Sequence, residues 1–375
     1  MSTSPKTGFL HKPGKLHELG LNWSMFCFRM GLCRSGKVKT PDTYDKLPNL
    51  DRKRMRVHFW VPAKTPGARI AVFNMMDVLR EEIGNAMLPW EITCSTSLPR
   101  LDTDVLVCYK AVPPDEILPG RPVRVLLFCD QLECFWGEMK HFDAVVVHSS
   151  FALAQLVASR HAQVWFIEEC EDADEIETGG EHLAQCLPSN RPPLLVWHGH
   201  RHTMDRLYAM RPMLEQFARE REVRIRLISN HQDGNEQWGP LTVERVAYTE
   251  ENFAAQVSEA RFGIAPARNH RMKHCLFKPS SRLRRLFALG VPAIGEGGSP
   301  AVKEFCRELP APHPFASSLK EWKSLLLYYW DNPEALDTLA LVGHEHVVRR
   351  FAMYHYARNW IQFLDQSNSF KTNSN

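Results

Sequence analysis

The sequence predicts an α/β protein built as two doubly wound, predominantly parallel sheets facing each other across a cleft. Three observations lead there. Short, almost continuously apolar runs recur along the chain, the mark of strands buried on both faces of a parallel sheet. Between them lie stretches whose apolar residues fall at helical spacing. The alternation stops at a polar, proline-bearing segment and then restarts, so it occurs twice. A length of 375 residues exceeds what one hydrophobic core supports, in agreement with two domains.

The first half opens with the strand Arg56–Val61, followed by a helix over Ala68–Ile83 with apolar residues at Ile70, Val72, Phe73, Met76 and Leu79. Strands follow at Glu91–Cys94, Asp104–Cys108, Val123–Cys129, Phe142–His148 and Val164–Ile167. Ser149 and Ser150 are placed to cap a helix running to Ala158. The acidic stretch Glu168–Glu181 reads as a solvated loop, and Pro188, Pro192 and Pro193 bracket a linker. The restart gives strands at Leu194–Trp197, Val223–Ile228, Val243–Tyr248, Phe262–Ala265 and Val291–Ile294. A polar loop is expected from 229 through Trp238 and Pro240. Helices are expected over Met204–Arg219, Glu251–Ala260, Ser280–Leu289, Glu321–Trp330, Pro333–Gly343 and Glu345–Leu364. The expected units are an extension over 1–50, a first domain over 51–188, a second over 189–344, a closing helix over 345–366 and a tail over 367–375.

Composition excludes several classes. A formal net charge of +3 argues against a broad basic face for nucleic acid. The ten cysteines form no Cys-x-x-Cys pair, and Cys108 and Cys129 sit inside apolar runs, so a reduced, cytoplasmic protein is the simpler expectation. No run approaches the roughly 20 apolar residues that span a bilayer. The patch Trp23–Phe28 is short and is followed by Arg29, Arg34 and Lys37. It reads as a covering loop, with peripheral membrane contact as the second reading.

The informative stretch is Phe262–Gly298. A strand ends near Pro266, and a loop then delivers Arg268, His270, Arg271, Lys273 and His274. Lys278 and Pro279 precede a helix that opens on Ser280 and Ser281 and carries Arg282 in its first turn. Free backbone N–H groups and the positive end of the helix dipole make such a start an anion site. Lys278 and Arg282 add charge, and both side chains are expected to line solvent in the empty cleft. Leu283, Leu286 and Phe287 turn inward, and Gly290 closes the helix.

The segment KPSSRLRRLFALGVPAIGEGGSPAVKEF resembles the donor-site segment of nucleotide-sugar-dependent GT-B glycosyltransferases of the group 1 type. The resemblance extends more weakly over roughly 190–310. It implies two Rossmann-like domains and a C-terminal helix crossing back onto the first. It also implies transfer of a sugar from a nucleoside diphosphate-sugar to a hydroxyl acceptor, a glycan, polysaccharide or lipid-linked precursor, without a metal or other cofactor. Many retaining members carry a pair of glutamates bracketing the helix, and none stands at 270–290, which leaves retaining or inverting chemistry open. Glu296 is then a candidate for the donor ribose. A nucleotide-sugar epimerase of the same architecture and a non-catalytic sugar-binding protein remain as alternatives.

Other candidates sit at strand ends. In His198–His202, His200 and Arg201 are candidates for donor contact, with a surface loop as the plain reading and a metal site weakened by the lack of a carboxylate before Asp205. Asn230 and Tyr248 end strands where a nucleotide base lies in doubly wound folds. Asp130 and His148 end strands of the first domain and are the candidate general bases for the acceptor hydroxyl.

Overall fold

A computed structural model describes residues 38–39, 53–63, 65–98, 102–113, 122–128, 136–230, 233–266 and 279–367. Two seven-stranded sheets organise them. The first comprises β1 (Val38–Lys39), β2 (Met55–Trp60), β3 (Trp90–Ser95), β4 (Val105–Tyr109), β5 (Val123–Phe128), β6 (Ala144–Val147) and β7 (Val164–Phe166). Its order is β1-β7-β6-β5-β4-β2-β3, and every pairing is parallel. The two-residue β1 lies within the segment expected to be an extension, and it forms one edge of this sheet.

Alternation along single strands shows why these runs are apolar throughout. Val105, Val107, Val125 and Leu127 enter one hydrophobic cluster, while their neighbours Leu106, Cys108, Leu126 and Phe128 enter another on the opposite face. Side chains point alternately up and down, so a strand covered on both faces must be apolar at every position. One face is covered by α1 (Met75–Asn85), entered through Pro66–Ala68 and a wide helical turn over Arg69–Asn74. The other is covered by α2 (Phe151–Ala158), where the Ser150 hydroxyl accepts the Leu153 amide at 3.2 Å, as its cap position requires.

The second sheet comprises β8 (Leu194–His198), β9 (Arg224–Ser229), β10 (Gly234–Trp238), β11 (Leu241–Ala247), β12 (Phe262–Ala265), β13 (Ala293–Glu296) and β14 (Phe315–Ala316). Its order is β10-β11-β9-β8-β12-β13-β14. All its pairings are parallel except β10 with β11, a hairpin closing one edge. The loop expected at 229–240 is therefore partly a strand. Its polar residues gave no apolar run because β10 faces solvent on most of its length. Around this sheet pack α4 (Asp205–Glu220), α5 (Glu250–Ser258), α6 (Ser281–Ala288), α7 (Pro300–Arg307) and α8 (Leu319–Asp331). The chain thus has the two-sheet α/β architecture that the sequence predicts.

Two expectations are corrected. The acidic stretch is no solvated loop: residues 173–185 form α3 (Ala173–Gln185), and Glu171, Asp172 and Glu175 are all under 9% exposed. Their charges are met by arginines from distant parts of the chain. Arg284 donates to Glu171 at 2.8 Å, Arg285 grips Glu175 with two nitrogens, Arg350 donates to Glu168 at 2.9 Å, and Arg69 meets Asp172 at 2.8 Å. The second correction concerns the C-terminal helices. Gly343 does not end a helix but lies inside α9 (Pro333–Phe351), and the break falls at Ala352 before α10 (Met353–Ser367). A Cβ at Gly343 would overlap the ring of buried Phe287, so glycine serves close packing of α9 on α6.

Helix α10 crosses onto the first sheet. Trp360 meets Phe59 edge-on at 5.1 Å between ring centres, the Tyr356 hydroxyl donates to the Ala71 carbonyl at 3.2 Å, and Arg358 donates to Glu82 at 2.6 Å. The carboxyl edges of the two sheets face each other. Ser149 and Ser150, just after β6, line a cavity together with Ser280 and Arg284 beside β12 and β13. No helix among the described residues is long and apolar enough to cross a membrane.

Two predictions follow from this packing. Gly343→Ala forces Phe287 out of its site and should lower stability by about 1–3 kcal/mol, measured by denaturant unfolding. His346 is 3% exposed between Phe305 and Phe351, and neither ring nitrogen has a hydrogen-bond partner. Burial, with help from Arg350 and Arg349, pushes its pKa down to about 4. The native ring stays neutral while the unfolded ring takes a proton below its ordinary value, so this contribution to stability is full above about pH 6.5 and falls as pH drops toward 4. His346→Leu should remove that part of the decline in a series of melting temperatures between pH 7.5 and 5.

Candidate functional site

The site is assembled at the carboxyl edge of the second sheet, where β8, β9, β12 and β13 end side by side. Strand β8 ends on His198, which is buried and whose Nε2 lies 3.1 Å from the Arg282 carbonyl. Burial holds this histidine far below its ordinary pKa, and the positive Arg285 and Arg282 add to the shift. The ring is therefore neutral near pH 7, and Nε2–H donates to the carbonyl.

Gly199 follows with φ +157°. A Cβ there would stand 2.9 Å from the Trp197 ring and 3.0 Å from an Arg282 nitrogen, so glycine permits a close approach of backbone to cation. His200 is exposed at the start of the next turn, and its carbonyl accepts from the Thr203 amide and hydroxyl, both at 2.8 Å. The Arg201 amide donates to Asn230 Oδ1 at 2.9 Å, and Ser229 donates to the same oxygen at 3.2 Å. Asn230 thereby ties the loop after β8 to the end of β9.

Arg282 is the central side chain. Its guanidinium donates to the Pro266 carbonyl at 3.0 Å and to the Thr203 hydroxyl at 3.3 Å, and it lies over the Trp197 ring at 5.5 Å. It joins α6 to the ends of β8 and β12. Against the expectation that it lines solvent in an open cleft, it is partly exposed, and these contacts hold it beneath Gly199. Its polar partners among the described residues are neutral oxygens, and burial alone pushes its pKa down to about 10, which leaves it charged at neutral pH. A buried cation without a carboxylate is unfavourable unless an anion compensates it.

The same turn of this helix shows the contrast. Arg284 is buried and Arg285 partly buried, and Glu171, Glu169 and Glu175 compensate them. Among the described residues, Arg282 at the start of α6, beside Ser280 and Ser281, is the one of these three arginines with no carboxylate partner. Ser280 is 5% exposed, makes no side-chain cap, and its carbonyl accepts the Leu283 and Arg284 amides at 2.9 Å. The helix dipole adds a partial positive charge at the same place.

Glu296 ends β13, is 8% exposed, and accepts from Arg206 Nε at 3.3 Å. Tyr248 follows β11. Its amide donates to the Ser229 carbonyl at 2.8 Å, and its ring packs against Phe253 at 5.4 Å with the Arg285 guanidinium above both rings. Its ring is turned toward α5 and α6. Lys278 lies outside the described residues, and so does Asp130. His148 is described: it directly follows β6, is 1% exposed, and lies 6.2 Å from the Tyr109 ring.

The structure thus brings together His200, Arg201, Asn230, Ser280, Ser281, Arg282 and Glu296 on one sheet edge, with His148 on the opposing sheet. Sequence reasoning missed Trp197, Thr203 and Arg206. Trp197 had a signal, as the residue before the glycine-containing loop, whereas nothing in the sequence points from Arg206 to Glu296. Among the described residues, no cluster of three His, Cys, Asp or Glu side chains is placed to hold a metal ion.

No family profile matches this chain, and no curated protein sequence matches it. Solved structures do. A sucrose-phosphate synthase from Thermosynechococcus elongatus matches at TM-score 0.57 and 13% identity, over 84% of this chain and 100% of its own. AviGT4, a glycosyltransferase involved in avilamycin A biosynthesis, matches at 0.54 and 15%, over 85% and 99%. HepE from Anabaena, in complex with UDP and glucose, matches at 0.53 and 11%, over 83% and 100%. At these identities the likeness is one of fold, and the fold is that of GT-B glycosyltransferases.

Arg282→Met separates the two roles of this cation. The unliganded protein should change in stability by less than about 1 kcal/mol, since an uncompensated charge is removed together with two hydrogen bonds. Pyrophosphate, the simplest diphosphate probe, should bind about 1.5–3 kcal/mol more weakly by calorimetry.

Proposed function

We propose that this chain is a glycosyltransferase that moves a sugar from a nucleoside diphosphate-sugar to a hydroxyl acceptor, a glycan or lipid-linked precursor. One observation carries the reading. In a fold shared with glycosyltransferases, the partly buried Arg282 has only neutral oxygens as polar partners among the described residues, at a helix start on the carboxyl edge of a parallel sheet. Negative charge grows on the diphosphate as the bond to the sugar breaks. In this reading Arg282 and the positive end of α6 meet that charge, and so stabilise the transition state more than the ground state. No metal need be invoked for this step. Lys278, three residues before Ser281, belongs to the same group in this reading, and Glu296, held by Arg206, would meet the donor ribose.

The acceptor hydroxyl must lose a proton as it attacks. Asp130 and His148 are the proposed bases from the first sheet. His148 is packed at the end of β6, its carbonyl accepting the Glu169 amide at 3.0 Å, which holds the residue in place at the cleft. HepE was solved with UDP and glucose, so UDP-glucose is the first donor to try. A cytoplasmic place of action and peripheral contact with a membrane belong to the same proposal.

Release of nucleoside diphosphate from UDP-glucose and related donors, followed with and without an acceptor panel, tests the reading. Transfer gives release that depends on acceptor. An epimerase gives an interconverted sugar, and a binding protein gives neither. Asp130→Asn should reduce acceptor-dependent release by on the order of 100-fold with little change in donor affinity, with His148→Gln as the matched comparison. Full turnover in both variants would remove these two residues from the proton transfer.

A further inference from the structure

Helix α6 supplies the start that cradles the diphosphate in the reading above, yet it spans only Ser281–Ala288 and has no side-chain cap. A short helix does not hold its own position, so its placement must come from packing. Leu283, Leu286 and Phe287 anchor one face in the second core. The other face is held from outside that core. Arg284 Nε donates to Glu171 Oε1 at 2.8 Å, both side chains being 2% exposed, and its Nη2 reaches Glu169 at 3.3 Å. The Phe351 ring closes over the same guanidinium at 4.4 Å. One residue further, Arg285 grips Glu175.

These acids come directly after β7 of the first sheet. Asp172, the neighbour of Glu171, caps α3 and accepts from Arg69 and Asn74 on the way into α1, each at 2.8 Å. The Glu171 amide also donates to the Phe351 carbonyl at 2.9 Å. A continuous set of short polar contacts therefore runs from the helix entry of the first sheet, through residues 168–175, to the middle of α6.

We propose that Arg284 is a positioning residue: its buried pair with Glu171 sets the place of α6 relative to the first sheet, and so aligns the anion cradle with the opposing side of the cleft. The inference rests on the glycosyl-transfer reading for its consequence, but not for its geometry. A carboxylate strap following the last strand of one sheet steers the ligand-binding helix of the other. The rival account is that the pair only fills space in a buried junction, in which case well-packed apolar residues would replace it without loss.

The experiment compares Arg284→Met with the double variant Arg284→Met, Glu171→Leu. Two quantities are read on folded protein: amide exchange across 281–288 by mass spectrometry, and affinity for uridine, guanosine and adenosine diphosphates by calorimetry. Arg284→Met should lower the melting temperature, speed exchange in 281–288 by about tenfold or more relative to α4, and weaken diphosphate binding by about tenfold. The double variant should recover the melting temperature while exchange and affinity stay impaired. Recovery of all three would overturn the proposal, as would normal exchange and affinity in the single variant. If Arg284→Met does not fold, the double variant is judged against Arg284→Lys, which keeps the charge and should protect 281–288 better than the double variant does. Should the unaltered protein bind none of the diphosphates, the glycosyl-transfer reading fails while the exchange comparison still decides the role of Arg284.

Discussion

Coverage of a parallel sheet on both faces is the constraint on which the rest of this molecule depends. Parallel strands need crossover helices, and those helices occupy both faces, leaving only the strand ends open. The strand edge is then where polar side chains can gather without disturbing a core. Here the two carboxyl edges are turned toward each other, and polar residues gather between them. Arg282, Glu296 and the loop from His198 to Thr203 come from three different stretches of chain, yet they meet because β8, β12 and β13 are neighbours in one sheet.

Three arginines on one short helix show how much environment matters to charge. Arg282, Arg284 and Arg285 lie within a single turn, Arg284 buried and the other two partly buried. Glu171 and Glu175 meet the last two, and burial, which would lower their pKa, is outweighed by the carboxylates beside them. Arg282 turns the other way, toward a carbonyl and a hydroxyl, and among the described residues no carboxylate meets it. The three arginines thus differ in their partners more than in their spacing.

The same contrast explains what the sequence could and could not disclose. Strands were legible because burial on both faces writes an unbroken apolar run, as in VLVCY and VRVLLF. The start of α6 was legible because a proline and two serines before an amphipathic run mark a helix start. The acidic stretch misled for a physical reason: Glu171 reads as a solvated charge, and its partner Arg284 stands 113 positions away. Gly343 misled similarly, since a glycine between two helical patterns looks like a stop until Phe287 is seen to fill its missing side chain. The inward turn of Arg282 depended on Pro266 and Thr203, whose proximity only the sheet order fixes. Local pattern carries elements; long-range pairing decides which charges are spent.

The antiparallel hairpin at one border of the second sheet has a consequence for association between molecules. A parallel sheet ending on a bare strand offers a row of unpaired amides and carbonyls to any passing chain. Here the outermost strand, β10, is brief and carries Asn235, Glu236 and Gln237, with Arg245 clasping Glu236 across the hairpin at 2.8 Å. Its one buried residue, Trp238, faces Arg211 and Tyr208 on its own molecule. At the far border β14 has only two residues. Neither border presents a long apolar template, so this sheet is protected against growing by strand addition, and a copy or a partner has to approach through helices and loops instead.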